Sequence, residues 1–327
     1  MREKGRNGLA SGVCMAAALL LVGSAPAAAS APDSGPITQR FLLSFHACDT
    51  ATANCLVPSN HQVQLAQSND GASWSLVPGW EPYTGSVPDV IRRKKTIYIY
   101  TPGFVARYNV KKDSWKPPKP VTLKRSTGFV DPSLIVKGKK LVLFFLESSP
   151  AGGDPAGCAP GEASCTKHFR SATEVKDSDG TKFKANSGDR VAVTIGPTPP
   201  DTASDPDIFF DGSNYYLYIS RGPSIDVYTS SSLKGSYSLV STLPNGRLSS
   251  LTGGIGSGYF DEPSNAYWTF AHVQMGGAAI IRRAVHPGFT SQLVESNWTP
   301  VVTGPIIGRP ATTTVESPGF ARNAPRP

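Results

Sequence analysis

The sequence is poor in the features that mark most fold classes. Charged residues make up only 17% of its 327 positions and aromatics 9%. That composition excludes a coiled coil and a wholly disordered chain, and glycine follows no collagen-like period. No run approaches the twenty apolar residues that a membrane-crossing helix needs. No long stretch repeats its apolar residues every 3.6 positions between helix caps. Histidine is scarce, five in all and unclustered, and the cysteine spacing is wrong for a zinc site. There is no convincing Ser-His-Asp order, phosphate loop or dinucleotide fingerprint. The net charge of +8 comes with no nucleic-acid recognition motif, so the expected partners exclude nucleic acid.

Residues 1–29 read as an address. Arg2, Lys4 and Arg6 precede a short apolar run from Val13 to Val22, and Ala27-Ala28-Ala29 offers a cleavage site. This is the pattern of a secretory signal peptide, and it predicts export to the extracellular space or the periplasm. Four cysteines remain beyond it, Cys48, Cys55, Cys158 and Cys165. An even number suits an oxidising compartment. The same seven-residue separation occurs twice, and local pairing is the simplest of three connectivities. Each bond would then staple one loop.

Glycine (32) and proline (29) are abundant, and they break the chain into short β-branched and aromatic runs. These runs repeat. The clearest copy is Ser204-Asp205-Pro206-Asp207-Ile208-Phe209-Phe210, a turn from Asp211 to Asn214, then Tyr215 to Ser220, with further strands at Ile225–Thr229 and Tyr237–Val240. The order recurs at Val130-Asp131-Pro132-Ser133 and at Val87-Pro88-Asp89, and in weaker form from Gly254 to Ala271. A partial copy opens with Arg40–Phe45 and Gln62–Gln67. It includes the hairpin Ser68-Asn69-Asp70-Gly71-Ala72-Ser73-Trp74. Five copies predict an all-β fold, a five-bladed β-propeller of four-stranded antiparallel blades over residues 30–316. The first copy lacks an inner strand, which residues near Val301 to Val315 would supply. Residues 317–327, rich in proline, read as a disordered tail.

Blade strands alternate in direction, so inner-strand starts and second-strand ends share one face. Asp89, Asp131, Asp205 and Asp207 are at the starts, and His46, Glu147, Arg221 and His272 at or just past the ends. The loops from His46 to His61 and from Glu147 to Lys167 are long and hold the cysteines, as functional loops often are. Connections between blades bring Trp80, Tyr83 and Arg125 to the same side. Trp74, Trp115 and Trp268 read as packing between blades. Arg92-Arg93-Lys94-Lys95 reads as a solvated hairpin turn, or alternatively as an attraction for an anionic polymer or surface. Glu262, in Asp261-Glu262-Pro263, falls in a hairpin turn and is set aside as an acid.

Asp-Pro, an apolar triplet, an Asp-Gly turn, Tyr-Tyr-Leu-Tyr and the Ser-Asn-Asp-Gly-x-x-Trp hairpin together resemble the five-bladed propeller glycosidases, glycoside hydrolase family 43 and its relatives. The resemblance covers most of the chain after the leader. It implies hydrolysis of a polysaccharide or oligosaccharide, with furanosides or pentose polymers favoured. Inverting enzymes hold two carboxyls about 6.5–9.5 Å apart to admit water. Asp131 matches the family's modulating Asp, and Asp89 resembles an axis-lining Asp. The family's acid Glu falls at Ser204 or Asp205, and the first blade offers only Asp33 as a base. The candidate catalytic set is therefore Asp131, Asp89, Asp207 and Glu147. Trp80, Tyr83, Arg125, Arg221, His46, His272 and Asp205 are candidates for binding. The resemblance requires no cofactor and allows a structural cation such as calcium near the axis. The expected partner is a carbohydrate and the expected state a monomer. The alternative is a propeller that binds carbohydrate or a cell surface without catalysis.

Overall fold

The computed structural model describes residues 37–148, 158, 162–196, 201–250, 253–275 and 277–323. The leader expected at residues 1–29 lies outside them. The described chain forms five mainly antiparallel sheets of four to six strands, arranged as a five-bladed propeller.

Blade I runs from its inner strand Thr313–Arg322 outward through Phe41–Asp49, Gln62–Ser68 and Ser75–Leu76. Blade II is Asp89–Arg93, Thr96–Thr101, Phe104–Asn109 and Ser114–Pro120. Blade III starts with Phe129–Lys137, Lys140–Glu147, Cys165–Glu174 and Lys182–Ala185. Two further strands join it, Thr122–Lys124 in parallel and Val191–Ile195 antiparallel. Blade IV is Ser204–Phe210, Tyr215–Ser220, Ile225–Ser230 and Ser238–Leu239, with Arg247–Ser249 beside the third strand. Blade V is Gly256–Asp261, Ala266–Met275, Ala278–His286 and Trp298–Val302.

Ring closure lies further along the chain than the sequence suggests. The segment from Trp298 to Val302 is the outer strand of blade V, and the closing strand is Thr313–Arg322. Residues 317–322, expected in a disordered tail, belong to this strand, and 319–322 pair with Phe41–Ser44. Their Pro318 and Gly319 hid the strand, since both residues usually interrupt one. Residues 324–327 lie outside the described ones.

Five apolar clusters fill the five gaps between neighbouring blades. Leu42, Trp80 and Trp115 pack between blades I and II, for example, and Phe144, Leu217 and Tyr237 between III and IV. Trp74, Trp115 and Trp268 are buried in such seams, as the sequence suggests. Toward the axis the inner strands crowd together. A Cβ on Gly258 would stand 2.1 Å from the Phe209 ring, and one on Gly319 2.7 Å from the Asp89 Cα.

A recurrent device opens these strands. The residue before proline has positive φ at Val87 (47°), Asp131 (49°), Asp205 (48°) and Ser317 (55°). Side chains other than glycine rarely adopt this conformation. The pairing register shifts at Val130/Ser133 and Ser204/Asp207. A bulge of this kind re-aims side chains at a strand end, here around the rim of the axis. In blade V the equivalent triplet is Ile255-Gly256-Ser257.

Candidate functional site

The five triplets meet in one floor. Val87-Pro88-Asp89, Asp131-Pro132, Asp205-Pro206-Asp207, Ile255-Gly256 and Ser317-Pro318 line a pocket of about 20 Å³ at the axis. Asp89, Asp131, Asp205 and Asp207 therefore do converge, as their places at strand starts predict.

Two of the four are committed to structure. Asp89 Oδ2 accepts the Leu134 amide at 2.7 Å and ties blade II to blade III. Asp207 Oδ2 accepts the Gly258 amide at 2.8 Å, and its Oδ1 accepts the Ser257 and Ser133 hydroxyls at 3.1 and 3.3 Å. Both carboxyls are buried. Loss of water favours their neutral forms, so Asp207 is pushed up to about 7 despite those hydrogen bonds. Asp89 is raised well above the carboxylate range, first by burial and then by the nearby Asp207. Hydrogen bonds thus tie both to adjacent blades, Asp89 through Oδ2 and Asp207 through both oxygens.

Asp131 is half-buried and Asp205 buried, and they touch each other, the Asp205 amide donating to Asp131 Oδ2 at 3.1 Å. Asp205 Oδ2 accepts the Ser204 hydroxyl at 2.6 Å. Glu147 is partly exposed and paired with Arg170 at 2.5 Å, and Ser126 donates to it at 2.6 Å. Arg221 bonds Asp201 at 2.5 Å and lies 3.6 Å from Asp226, which Arg247 also contacts at 3.2 Å. Burial raises Asp226 above the usual carboxylate range, while the two arginines oppose that shift.

Blades I and V supply the opposite side. The Val87 amide donates to His46 Nδ1 at 3.2 Å, and the Ser317 amide to His272 Nδ1 at 3.2 Å. Each inner-strand start is thus held by a histidine of the preceding blade. With Nδ1 accepting, the neutral ring carries its proton on Nε2. The structural cation allowed at the axis would therefore gain no direct lone pair from either imidazole. Burial lowers the pKa of both rings; His61 and His272 lower that of His46 further. His46 stacks on His61 with centroids 4.1 Å apart, and its Nε2 lies 3.9 Å from Glu316. His61 is fixed by Ser86 and the Cys55 carbonyl, each at 2.8 Å.

Glu316 and His61 are functional candidates that sequence reading missed. Ser317-Pro318-Gly319 repeats the X-Pro-X opening of the other inner strands, and that signal would have placed Glu316 beside the mouth.

Trp80 and Tyr83 are corrections. Both are buried between blades I and II, with Trp80 Nε1 donating to the Val63 carbonyl at 3.1 Å. They cannot stack on a sugar at the surface, since apolar neighbours cover their faces. Arg125 is exposed in the connection to blade III. Both expected disulfides are present, Cys48–Cys55 and Cys158–Cys165. Among the described residues, Cys158, Glu162 and Cys165 form the one group with metal-ligand spacing, and its sulfurs are joined to each other. Glu262 falls in a short turn, as expected. No helix among the described residues is long and apolar enough to cross a membrane.

This floor of strand starts, ringed by side chains from second-strand ends, defines a five-bladed propeller of the glycosidase type in fold. No family model and no curated protein sequence matches the chain. Solved structures match it in shape. The GH43_1 enzyme from Xanthomonas citri complexed with xylose is 15% identical with a TM-score of 0.52, covering 78% of this chain and 86% of that one. An endo-1,4-beta-xylanase from Bacteroides thetaiotaomicron is 13% identical with a TM-score of 0.49, over 80% and 91% of the two chains. An exo-1,5-alpha-L-arabinanase from a bovine ruminal metagenomic library is 16% identical with a TM-score of 0.46, over 84% and 97%. At such identities the likeness is one of fold.

Proposed function

We propose that the mouth binds a polysaccharide or oligosaccharide and hydrolyses its glycosidic bonds by inversion, in a protein exported from the cell. The observation that carries this reading is the placement of Asp131, Asp205 and Glu316 around one propeller mouth, on blades III, IV and I. Asp205, one of the two residues at the family's acid position, protonates the leaving oxygen. Asp131, bonded to the Asp205 amide, modulates it. Glu316, beside His46 and His272, takes a proton from the attacking water. Inversion requires the acid and base to stand about 6.5–9.5 Å apart across the sugar. Arg125, Arg221 and His272 contact the substrate, for which pentose polymers are favoured, and buried His46 holds the start of blade II in place.

A second reading is a propeller that binds carbohydrate without cleaving it. The observation favouring it is that Asp89 and Asp207 are folded onto the amides of neighbouring blades. A panel of polysaccharides and aryl glycosides separates the two. Release of reducing sugar by the native protein, lost at least about 100-fold in Asp205→Asn and Glu316→Gln, is the expected result, given the weight of a catalytic acid or base. Retained binding to a polymer with no release contradicts hydrolysis and leaves the binding reading.

A further inference from the structure

The propeller axis has a second opening, on the face away from the mouth. A cavity of about 520 Å³ runs inward from it, within the range of pockets that enclose small organic ligands. Asp89 and Asp207 line both this cavity and the mouth pocket, so they stand at the waist between two separate chambers. Ile91, Ile135, Phe210, Tyr259, Phe260 and Phe320 face it while only half-buried. This is an apolar wall left open toward solvent.

Cations surround that wall. Arg92, Lys94, Lys137 and Arg322 all line the cavity. None forms an ion pair among the described residues, in contrast to Arg93, which is paired with Glu174. Arg92 donates instead to the Asn323 side chain at 2.5 Å and to the Lys94 carbonyl at 2.9 Å. Lys137 Nζ donates to the Tyr215 hydroxyl at 2.6 Å and lies 5.3 Å from the centre of its ring. Arg322 Nε is buried with no hydrogen-bond partner in the protein. The carboxyls on the lining, Asp89 and Asp207, are at the far end and accept hydrogen bonds from neighbouring blades. An anionic group in the cavity would offset the positive charge that these four cationic side chains bring to an apolar wall without an ion-pair partner.

We propose that this cavity binds a small amphiphilic anion, an organic acid with an aromatic or aliphatic body. Its acidic head meets Arg92, Lys137 and Arg322, and its body lies against Ile135, Phe210 and Tyr259. The basic hairpin at Arg92 to Lys95 then supplies one side of a ligand site. The proposal is independent of the chemistry at the mouth.

Fluorescence titration of the full-length protein tests it, with anilinonaphthalene sulfonate as the anionic probe and the uncharged N-phenyl naphthylamine as its control. The expected result is one sulfonate dye bound per chain, more tightly than the neutral dye and weakened by sodium chloride. Lys137→Gln combined with Arg322→Gln lowers the sulfonate affinity by about tenfold, roughly one charge-assisted hydrogen bond, and leaves the neutral dye unchanged. Ile135→Trp fills the cavity and removes both. Salt dependence in the native protein and the single variant Arg92→Gln serve as readouts should the double variant fail to fold. Equal affinity for both dyes, an affinity indifferent to salt, or binding of several dye molecules per chain overturns the proposal.

Discussion

Asp207 shows most directly what burial does to a single group. The strand pattern placed it on the axis, but its partners, Ser133, Ser257 and Gly258, come from neighbouring blades and are invisible in local sequence. Its pKa near 7 has a consequence for stability. Between about pH 4, where the unfolded carboxyl titrates, and about pH 7, the native state holds a proton that the unfolded chain has released. Asp207 therefore contributes stability that is full below this window and is lost as pH rises through it. Each unit of separation is worth about 1.4 kcal/mol. His46 acts in the opposite sense, because its lowered pKa costs stability as pH falls below the ordinary histidine value. The comparison that isolates Asp207 is Asp207→Asn, whose amide oxygen can still accept the Gly258 N–H. The thermal midpoint of the native protein is expected to decline relative to that of the variant from about pH 4 to about pH 7. Parallel curves would contradict the assignment.

At the scale of elements, strands were legible and loops were not. Tyr215 to Ser220 and Thr96 to Tyr100 announce themselves by aromatic and β-branched residues between turn formers, and both are second strands. Trp80 and Tyr83 carry no such period. Their burial is decided by two adjacent blades, through Val63 of blade I and Trp115 of blade II, so they looked like exposed cleft aromatics. Thr313–Arg322 was missed because Pro318 and Gly319 read as breakers, although the repeated X-Pro opening was there to be matched. The cysteines were read from spacing alone, and their effect can be estimated. The Cys48–Cys55 bond closes a loop with a sequence separation of 7, and fixing a short loop in the unfolded chain stabilises by about 2 kcal/mol. Cys48→Ser with Cys55→Ser is expected to lower the unfolding free energy from denaturant titration by that amount, with a lower midpoint, while the β-sheet signal in circular dichroism is retained. An unchanged midpoint would show that the loop is held by other contacts.

The whole molecule depends on closure of its ring. Five blades meet through five apolar seams, and blade I is complete only when Thr313–Arg322 pairs with Phe41–Asp49. A chain ending before Thr313 would leave the Phe41–Asp49 edge unpaired along the axis, an open template for association. Such a truncation is expected to aggregate, as seen by size-exclusion chromatography. A truncated monomer with native near-ultraviolet circular dichroism would contradict this account of closure. Fold and the convergence of acidic residues were thus readable from repeats. Which carboxylates are spent on structure was decided only by contacts between blades.

The central claim is that the mouth carboxylates hydrolyse a glycosidic bond. Proton NMR of the protein incubated with pentose oligosaccharides tests it most directly, because it reads bond cleavage and product configuration together. The expected result is new reducing-end anomeric signals that first appear with inverted configuration, and that are absent with Asp205→Asn. Line broadening of the intact oligosaccharide with no new anomeric signal would contradict hydrolysis and identify the mouth as a binding site.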